Sequence, residues 1–251
     1  MDKTSLITRP VRGVLFDAGN TLIRVRNSVG AVYAEVATRY GAKADPACLD
    51  LSFHEVFEQH RGSFLAGVSR PHSPARERAW WRDVVVDVFR DTAAGESLAT
   101  SFDQFFEELY AEFALPKHWE LFPDVVPCLE QLDRLNLPFA VVSNWDSRLH
   151  PVLQGLKLGQ RLRFVLTSAE FGAEKPDPTI FLTGASRLGL PPEQVLHVGD
   201  SLVDDVQGAQ AAGLGALWLR RGSSEPCPTG VACIRDLRSL ADRFFRGPGT
   251  P

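Results

Sequence analysis

From about residue 120 onward the chain alternates between two periodicities, and that alternation confines it to one fold class. Asp124 to Leu135 sets Val125, Val126, Leu129, Leu132 and Leu135 on one helical face. Phe139-Ala140-Val141-Val142 follows as a short, continuously apolar run, the pattern of a strand covered on both faces. The succession returns with a strand at Phe164-Val165-Leu166 and a helix from Asp177. It returns again with a strand at Val195-Leu196-His197-Val198, an alanine-rich helix across Val206 to Ala212, and a strand at Ala216-Leu217-Trp218-Leu219. Such repetition predicts right-handed strand–helix–strand units about a parallel sheet, an α/β fold. Asp177-Pro178 is a helix start with Asp as N-cap and Pro in the first turn, and Gly213 stands where the alanine-rich helix should stop.

Residues 25 to 118 read differently. They carry helical patterns with little strand signal, over Val29 to Tyr40, Pro46 to His60, Pro74 to Phe89 and Phe102 to Phe113. Asp45-Pro46 and Ser73-Pro74 repeat the cap-then-proline start. The expected organisation is a core built from residues 1–24 and 119–251, with residues 25–118 inserted as an α-helical cap. The tail Gly247-Pro248-Gly249-Thr250-Pro251 has nothing to pack and is expected to be disordered.

Composition narrows the function classes. At 251 residues, 44% hydrophobic and with a formal net charge of -4, the chain has no general attraction to nucleic acid or to an anionic membrane. Any phosphate it handles must be held by a local site. Cys48, Cys128, Cys227 and Cys233 form no CxxC pair, so free thiols in a reducing compartment are expected. The N-terminus shows no signal-peptide core, and no apolar run approaches the roughly 20 residues that span a bilayer. A cytoplasmic location and no membrane partner are the expectations.

Asp17 ends the apolar run Val14-Leu15-Phe16. A carboxylate at the mouth of a buried strand is costly to desolvate unless a cation or hydrogen-bond donors hold it. Ser143-Asn144, Lys175-Pro176, Gly199-Asp200 and Asp204-Asp205 follow later strands. Each has a plain reading as a turn, a helix-entry loop or an acidic first turn. Their order at successive strand ends singles them out, because in a parallel sheet all of them arrive at the ligand-binding carboxyl edge. The set suits a phosphoryl group. Asp17 and Asp200 can share Mg2+, with the Gly19 carbonyl and Asp205 completing the protein ligands. Ser143, Asn144 and neighbouring N–H groups are placed to hold non-bridging oxygens, and Lys175 offsets the carboxylates and the phosphate. Asp17 is then a carboxylate nucleophile.

These segments resemble the four motifs of the haloacid dehalogenase-like hydrolase superfamily. They stand here as Leu15-Phe16-Asp17-Ala18-Gly19-Asn20-Thr21-Leu22, Val141-Val142-Ser143-Asn144, Glu174-Lys175-Pro176-Asp177-Pro178 and His197-Val198-Gly199-Asp200-Ser201-Leu202-Val203-Asp204-Asp205. All four occur in family order, and the helical insert takes the place of the usual cap. The resemblance implies a Rossmann-like core, magnesium, nucleophilic catalysis by Asp17 and a small phosphorylated substrate. It also exposes one departure. Family phosphatases carry a second Asp two positions after the nucleophile, as general acid and then base, and here that position is Gly19. Glycine cannot move a proton, a function typically worth about 10²–10⁴ in rate. Slow turnover of ordinary phosphomonoesters is therefore expected, with acyl and aryl phosphates suffering least. Asp146 or a cap residue is the candidate replacement.

Two rival readings follow from Gly19. Family dehalogenases also lack the second Asp, but they need no metal and lack the acid that stands here as Asp200. A binding or regulatory protein without useful hydrolysis is the other, against which the retention of Asp17, Ser143, Lys175 and Asp200 weighs. His197 reads as an interior histidine, Trp80-Trp81 as cap core or as the face that meets the catalytic core, and Arg24 and Arg26 as surface charge near the crevice.

Overall fold

The computed structural model describes residues 10–60, 73–224 and 226–240. Strand β1 (Gly13–Phe16) leads into a short β2 (Ile23–Val25) and then five helices: α1 (Val29–Arg39), α2 (Pro46–His60), α3 (Pro74–Phe89), α4 (Ala93–Leu98) and α5 (Phe102–Glu112). The chain returns through β3 (Trp119–Leu121), α6 (Val125–Arg134), β4 (Phe139–Ser143), α7 (Leu149–Gly155), β5 (Val165–Thr167), α8 (Ser168–Phe171) and α9 (Pro178–Arg187). Strand β6 (Val195–Gly199), a π-helical segment over Leu202–Gln207, α10 (Gly208–Ala211), β7 (Gly215–Leu219) and β8 (Cys233–Ile234) complete it.

Six strands form one parallel sheet in the order β5-β4-β1-β6-β7-β8. Alternation along β1 divides its side chains between two layers. Val14 and Phe16 join Val141, Leu196 and Val198 on one face, and Leu15 joins Ala140, Val142 and Val195 on the other. Both faces are dry, which is why these strands read as continuous apolar runs. This is a Rossmann-like α/β core. Strand β1 lies between β4 and β6, where the strand order reverses, so Asp17 emerges at the position where open α/β sheets place ligands.

The cap-then-proline starts do what the sequence suggests. Ser73 accepts from Arg76 N, Asp45 Oδ1 from Ala47 N at 3.0 Å and Asp177 Oδ1 from Thr179 N at 2.8 Å. Gly213 ends the segment after α10 at φ +78°, a left-handed conformation that glycine adopts without strain. The alanine-rich stretch is not all α-helix, since Val206 and Gln207 end the π segment and Gly208–Ala211 form α10. Helix α4 and the antiparallel β2–β3 ribbon carry no sequence signal of their own; three-residue strands are too short to show a period. The ribbon fastens the start of the insert to its end. Arg24 pairs across it with Glu120 at 2.7 Å, and Arg26 Nε donates to the Lys117 carbonyl at 3.2 Å. Both arginines clasp the ribbon.

Helices α1 to α5 share a separate apolar cluster that includes Tyr33, Val36, Val84, Val88, Phe89, Phe105 and Leu109. The cysteine expectation needs correction. Cys227 and Cys233 are joined as a disulfide, which brings the loop before β8 back onto it, while Cys128 is a buried thiol and Cys48 an exposed one. The tail at 247–251 lies outside the described residues. Among the described residues no helix is long and apolar enough to cross a membrane.

Candidate active site

Four chain segments meet at the carboxyl edge of the sheet. Asp17 leaves β1 with its N–H donating to the Val198 carbonyl at 2.9 Å. Ser143, the last residue of β4, donates its hydroxyl to Asp17 Oδ1 at 2.8 Å. Lys175 Nζ donates to the same oxygen at 2.7 Å and to Asp205 Oδ1 at 2.6 Å. Among the described residues Asp17 Oδ2 accepts nothing, so one carboxylate oxygen is held by two donors while its twin is left free. Lys175 is 3% exposed and stays protonated; burial opposes its charge, but Asp17 and Asp205 outweigh burial and push its pKa up.

Asp205 is spent on this support. Its Oδ1 also bonds His197 Nε2 at 2.8 Å, and its Oδ2 accepts from Ser201 N at 2.9 Å. Burial opposes its ionisation, yet Lys175 and His197 hold its pKa well below the ordinary carboxylate range. His197 is wholly buried, and burial lowers its pKa. A neutral ring donating from Nε2 accounts for the bond to Asp205 and for Nδ1, which has no partner.

The donor set fits a hard divalent cation. Asp17, Asp200 and Asp205 each offer an oxygen, all within 4.8 Å of one another. Three carboxylates against the single Lys175 ammonium leave two negative charges. That deficit shows in the acids themselves. Burial, together with Asp17 and Asp205, raises the Asp200 pKa to about 7, and burial outweighs Lys175 to raise that of Asp17. A divalent ion would remove this penalty. Asp17 and Asp200 each have an oxygen to give, and the Gly19 carbonyl accepts no hydrogen bond among the described residues. Asp205 belongs to the same cluster, but both its oxygens already have partners, so it acts here as the anchor of Lys175.

Asn144 requires a correction. Its side chain is not turned to substrate but clamps the loop after α8: Nδ2 donates to the Lys175 carbonyl at 2.9 Å, and Oδ1 accepts from Lys175 N at 2.7 Å. Asn144 therefore positions the backbone that delivers the ammonium.

Comparison with known proteins gives the family. A family model for haloacid dehalogenase-like hydrolase matches residues 11–213. The chain belongs to the haloacid dehalogenase-like hydrolase family. Haloacid dehalogenase-like hydrolase domain-containing protein 3 of Danio rerio is 34% identical over 231 residues, 92% of this chain and 94% of the relative. Glyceraldehyde 3-phosphate phosphatase of Methanopyrus kandleri is 39% identical over 102 residues, 40% of this chain and 44% of the relative. The solved structure of a defluorinating L-2-haloacid dehalogenase superposes with a TM-score of 0.76 at 22% identity, covering 95% of this chain and 97% of that one, which is a likeness of fold.

In this haloacid dehalogenase-like hydrolase Gly19 stands two positions after Asp17, and the structure shows what covers it. A Cβ on Gly19 would lie 3.1 Å from Trp145 Cζ3, so the indole covers the ground a side chain would need. Asp146 does not replace the missing acid. It is 2% exposed, and both its oxygens are taken: Arg148 Nε and N bond Oδ1 at 2.9 and 3.0 Å, while Arg148 Nη2 and Trp81 Nε1 bond Oδ2 at 2.6 and 2.5 Å.

Those bonds reveal a group of residues the motifs did not flag. Trp81, on α3, reaches from the insert to Asp146 on the loop after β4. Glu77, one turn earlier, accepts from the Ser147 hydroxyl at 2.8 Å and from its N–H at 3.3 Å. The Arg148 guanidinium sits between the rings of Trp81 and Tyr110, 4.7 and 4.0 Å from their centroids. The insert is thus fastened to the loop that begins at Ser143. The Trp81–Trp80 doublet was the one available signal, as a face meeting the catalytic core.

Proposed function

We propose that this protein is a magnesium-dependent hydrolase of small phosphorylated molecules that works through an aspartyl phosphate. The observation that carries the reading is the unequal treatment of the two Asp17 oxygens. With Oδ1 fixed by Ser143 and Lys175, Oδ2 is oriented for attack on phosphorus. Asp17, Asp200 and the Gly19 carbonyl would hold Mg2+, which supplies charge compensation between carboxylates and phosphoryl oxygens. Lys175 Nζ lies 2.7 Å from Oδ1 of the same carboxylate and neutralises its charge. As the Oδ2–P bond forms, the P–O bond to the leaving group breaks and the electron pair departs on that oxygen. Water then attacks phosphorus, the Oδ2–P bond breaks with its electron pair returning to the Asp17 carboxylate, and both protons of the water leave on inorganic phosphate.

Gly19 cannot protonate the leaving group, and Asp146 is not free to do so. The substrates this geometry favours are those whose leaving oxygen is stable as an anion, with acyl phosphates foremost. Attack by Asp17 on a halogenated carbon is the second reading, favoured by Gly19 and opposed by the acid cluster around Asp200. The deciding experiment is turnover of acyl, aryl and alkyl phosphates and of 2-chloropropionate, with magnesium and with EDTA. Hydrolysis of acyl phosphates that EDTA abolishes and Asp17→Asn removes is expected, with Asp200→Asn weakening magnesium binding by calorimetry. Release of halide in EDTA would replace this reading with the second.

A further inference from the structure

Alternation along β6 calls for an apolar side chain at position 197, and a histidine stands there. His197 shares the face of Val195, in a layer whose buried members include Leu15, Val142, Ile180 and Phe181. It is in register with Leu15 of β1 on one side and Ala216 of β7 on the other, and its ring meets that of Phe181 at 85° with centroids 4.9 Å apart. A polar ring wholly out of water in such surroundings is costly unless it is hydrogen-bonded. Its bond goes to Asp205 Oδ1, at 2.8 Å.

Asp205 is satisfied without that bond. Its Oδ1 accepts from Lys175 Nζ at 2.6 Å and its Oδ2 from Ser201 N at 2.9 Å. What the imidazole adds is direction. The Lys175 ammonium is a point charge on a flexible stem and can follow a carboxylate that turns. The imidazole N–H is fixed in the plane of a ring, and this ring is rooted in a strand paired on both sides. The same sheet carries the nucleophile, since Asp17 N donates to the carbonyl of Val198, the residue after His197. The contacts Asp17–Lys175–Asp205–His197 thus form a closed circuit that leaves the sheet from β1 and returns to it on β6.

We propose that His197 is a positioning residue for the nucleophile: by fixing Asp205 it holds the Lys175 ammonium on Asp17 Oδ1 and keeps Oδ2 as the oxygen presented to phosphorus. This rests on the hydrolase reading above and extends it to a residue buried within the sheet.

Two variants separate the hydrogen bond from the space it occupies. His197→Met fills the layer without a donor, whereas His197→Gln sets an amide nitrogen as many bonds from Cβ as Nε2. With acetyl phosphate as the probe, His197→Met should lower kcat about a hundredfold with KM within about threefold of wild type, and His197→Gln should recover about tenfold or more of the loss. Crystal structures supply a readout without turnover: Lys175 Nζ should leave Asp17 Oδ1 in His197→Met and remain within about 3 Å of it in His197→Gln. Should His197→Met fail to fold, His197→Asn, whose amide falls one bond short, takes its place. Nitrogen-15 NMR of the wild type should show the proton on Nε2, and a bare Nε2 would overturn the role. Asp17-dependent turnover that His197→Met leaves intact, or that both variants lower equally, also overturns it and leaves the hydrolase standing. Lys175 displaced in His197→Met and restored in His197→Gln, without Asp17-dependent turnover of any phosphate, supports the positioning role and overturns the hydrolase.

Discussion

At the scale of single residues, the site is a problem of buried charge. Among the described residues Lys175 is the only cation between Asp17 and Asp205, and removing it would strand two carboxylates out of water. Lys175→Met is expected to destabilise the fold by ~3–5 kcal/mol and abolish turnover, read by urea unfolding and by a phosphatase assay. Full stability in that variant would mean that the acids are solvated and the electrostatic account is wrong. Gly19 is the second residue-scale question. The sequence suggests that Gly19→Asp should restore an acid and speed poor leaving groups. The structure adds a condition, since the new Cβ would press on Trp145 at 3.1 Å. Gly19→Asp alone should therefore gain little, whereas Gly19→Asp with Trp145→Ala should raise kcat/KM for alkyl phosphates about tenfold or more, within the range of a placed acid. Equal rates in the single and double variants would count against the indole as the obstacle.

At the scale of elements, strand ends deliver chemistry and neighbouring elements hold it in place. The polar residues after β1, β4, α8 and β6 could be read in sequence because each follows an apolar run or opens a helix. The partner each one takes could not be read, because hydrogen bonds form between elements far apart in the chain. Asn144 and Lys175, 31 positions apart, clamp each other's loops, and nothing local distinguishes such an Asn from one that binds substrate. Gly199 shows the same dependence. A Cβ there would fall 2.1 Å from Asp205 Cγ, so the end of β6 must be bare for the π segment to bring Asp205 against Lys175. Gly199→Ala should cost ~1–3 kcal/mol in chemical denaturation and lower kcat as the ammonium loses its anchor. Gly159→Ala is the control, since its Cβ would meet nothing nearer than 3.5 Å, and it should unfold near the wild-type midpoint. Equal behaviour of the two variants would contradict this packing.

At the scale of the whole molecule, two chain passages join the helical insert to the sheet, and polar clusters brace the junction. Glu112, the last residue of α5, accepts from Arg39 of α1 at 2.8 Å, from Lys117 Nζ at 2.6 Å and from His118 Nε2 at 2.5 Å. Burial works against its charge, but these donors outweigh it and hold the pKa at about 2, below the ordinary 4.5. A carboxyl whose folded-state pKa is depressed contributes stability that is complete above its unfolded value and is lost as pH falls towards the folded one. Glu112→Gln should therefore melt below the wild type at pH 7, with the gap closing between about pH 4.5 and pH 2. Thermal unfolding at pH 7 and pH 3 reads this directly, and a gap as wide at pH 3 would show that Glu112 does not supply it.

What the sequence determined by itself is the α/β class, the helical insert, the order of the strand-end motifs and the family to which they point. These rest on periodicity, turn chemistry and residue type, all of which are local. Only the tertiary structure decided that Trp145 fills the ground over Gly19, that Asp146 is consumed by Arg148 and Trp81, that Asp205 anchors Lys175, and that Asn144 clamps the loop carrying Lys175. Those outcomes depend on which side chains from distant segments claim the same few cubic ångströms, and volume and hydrogen-bond capacity are allotted only when the chain is folded.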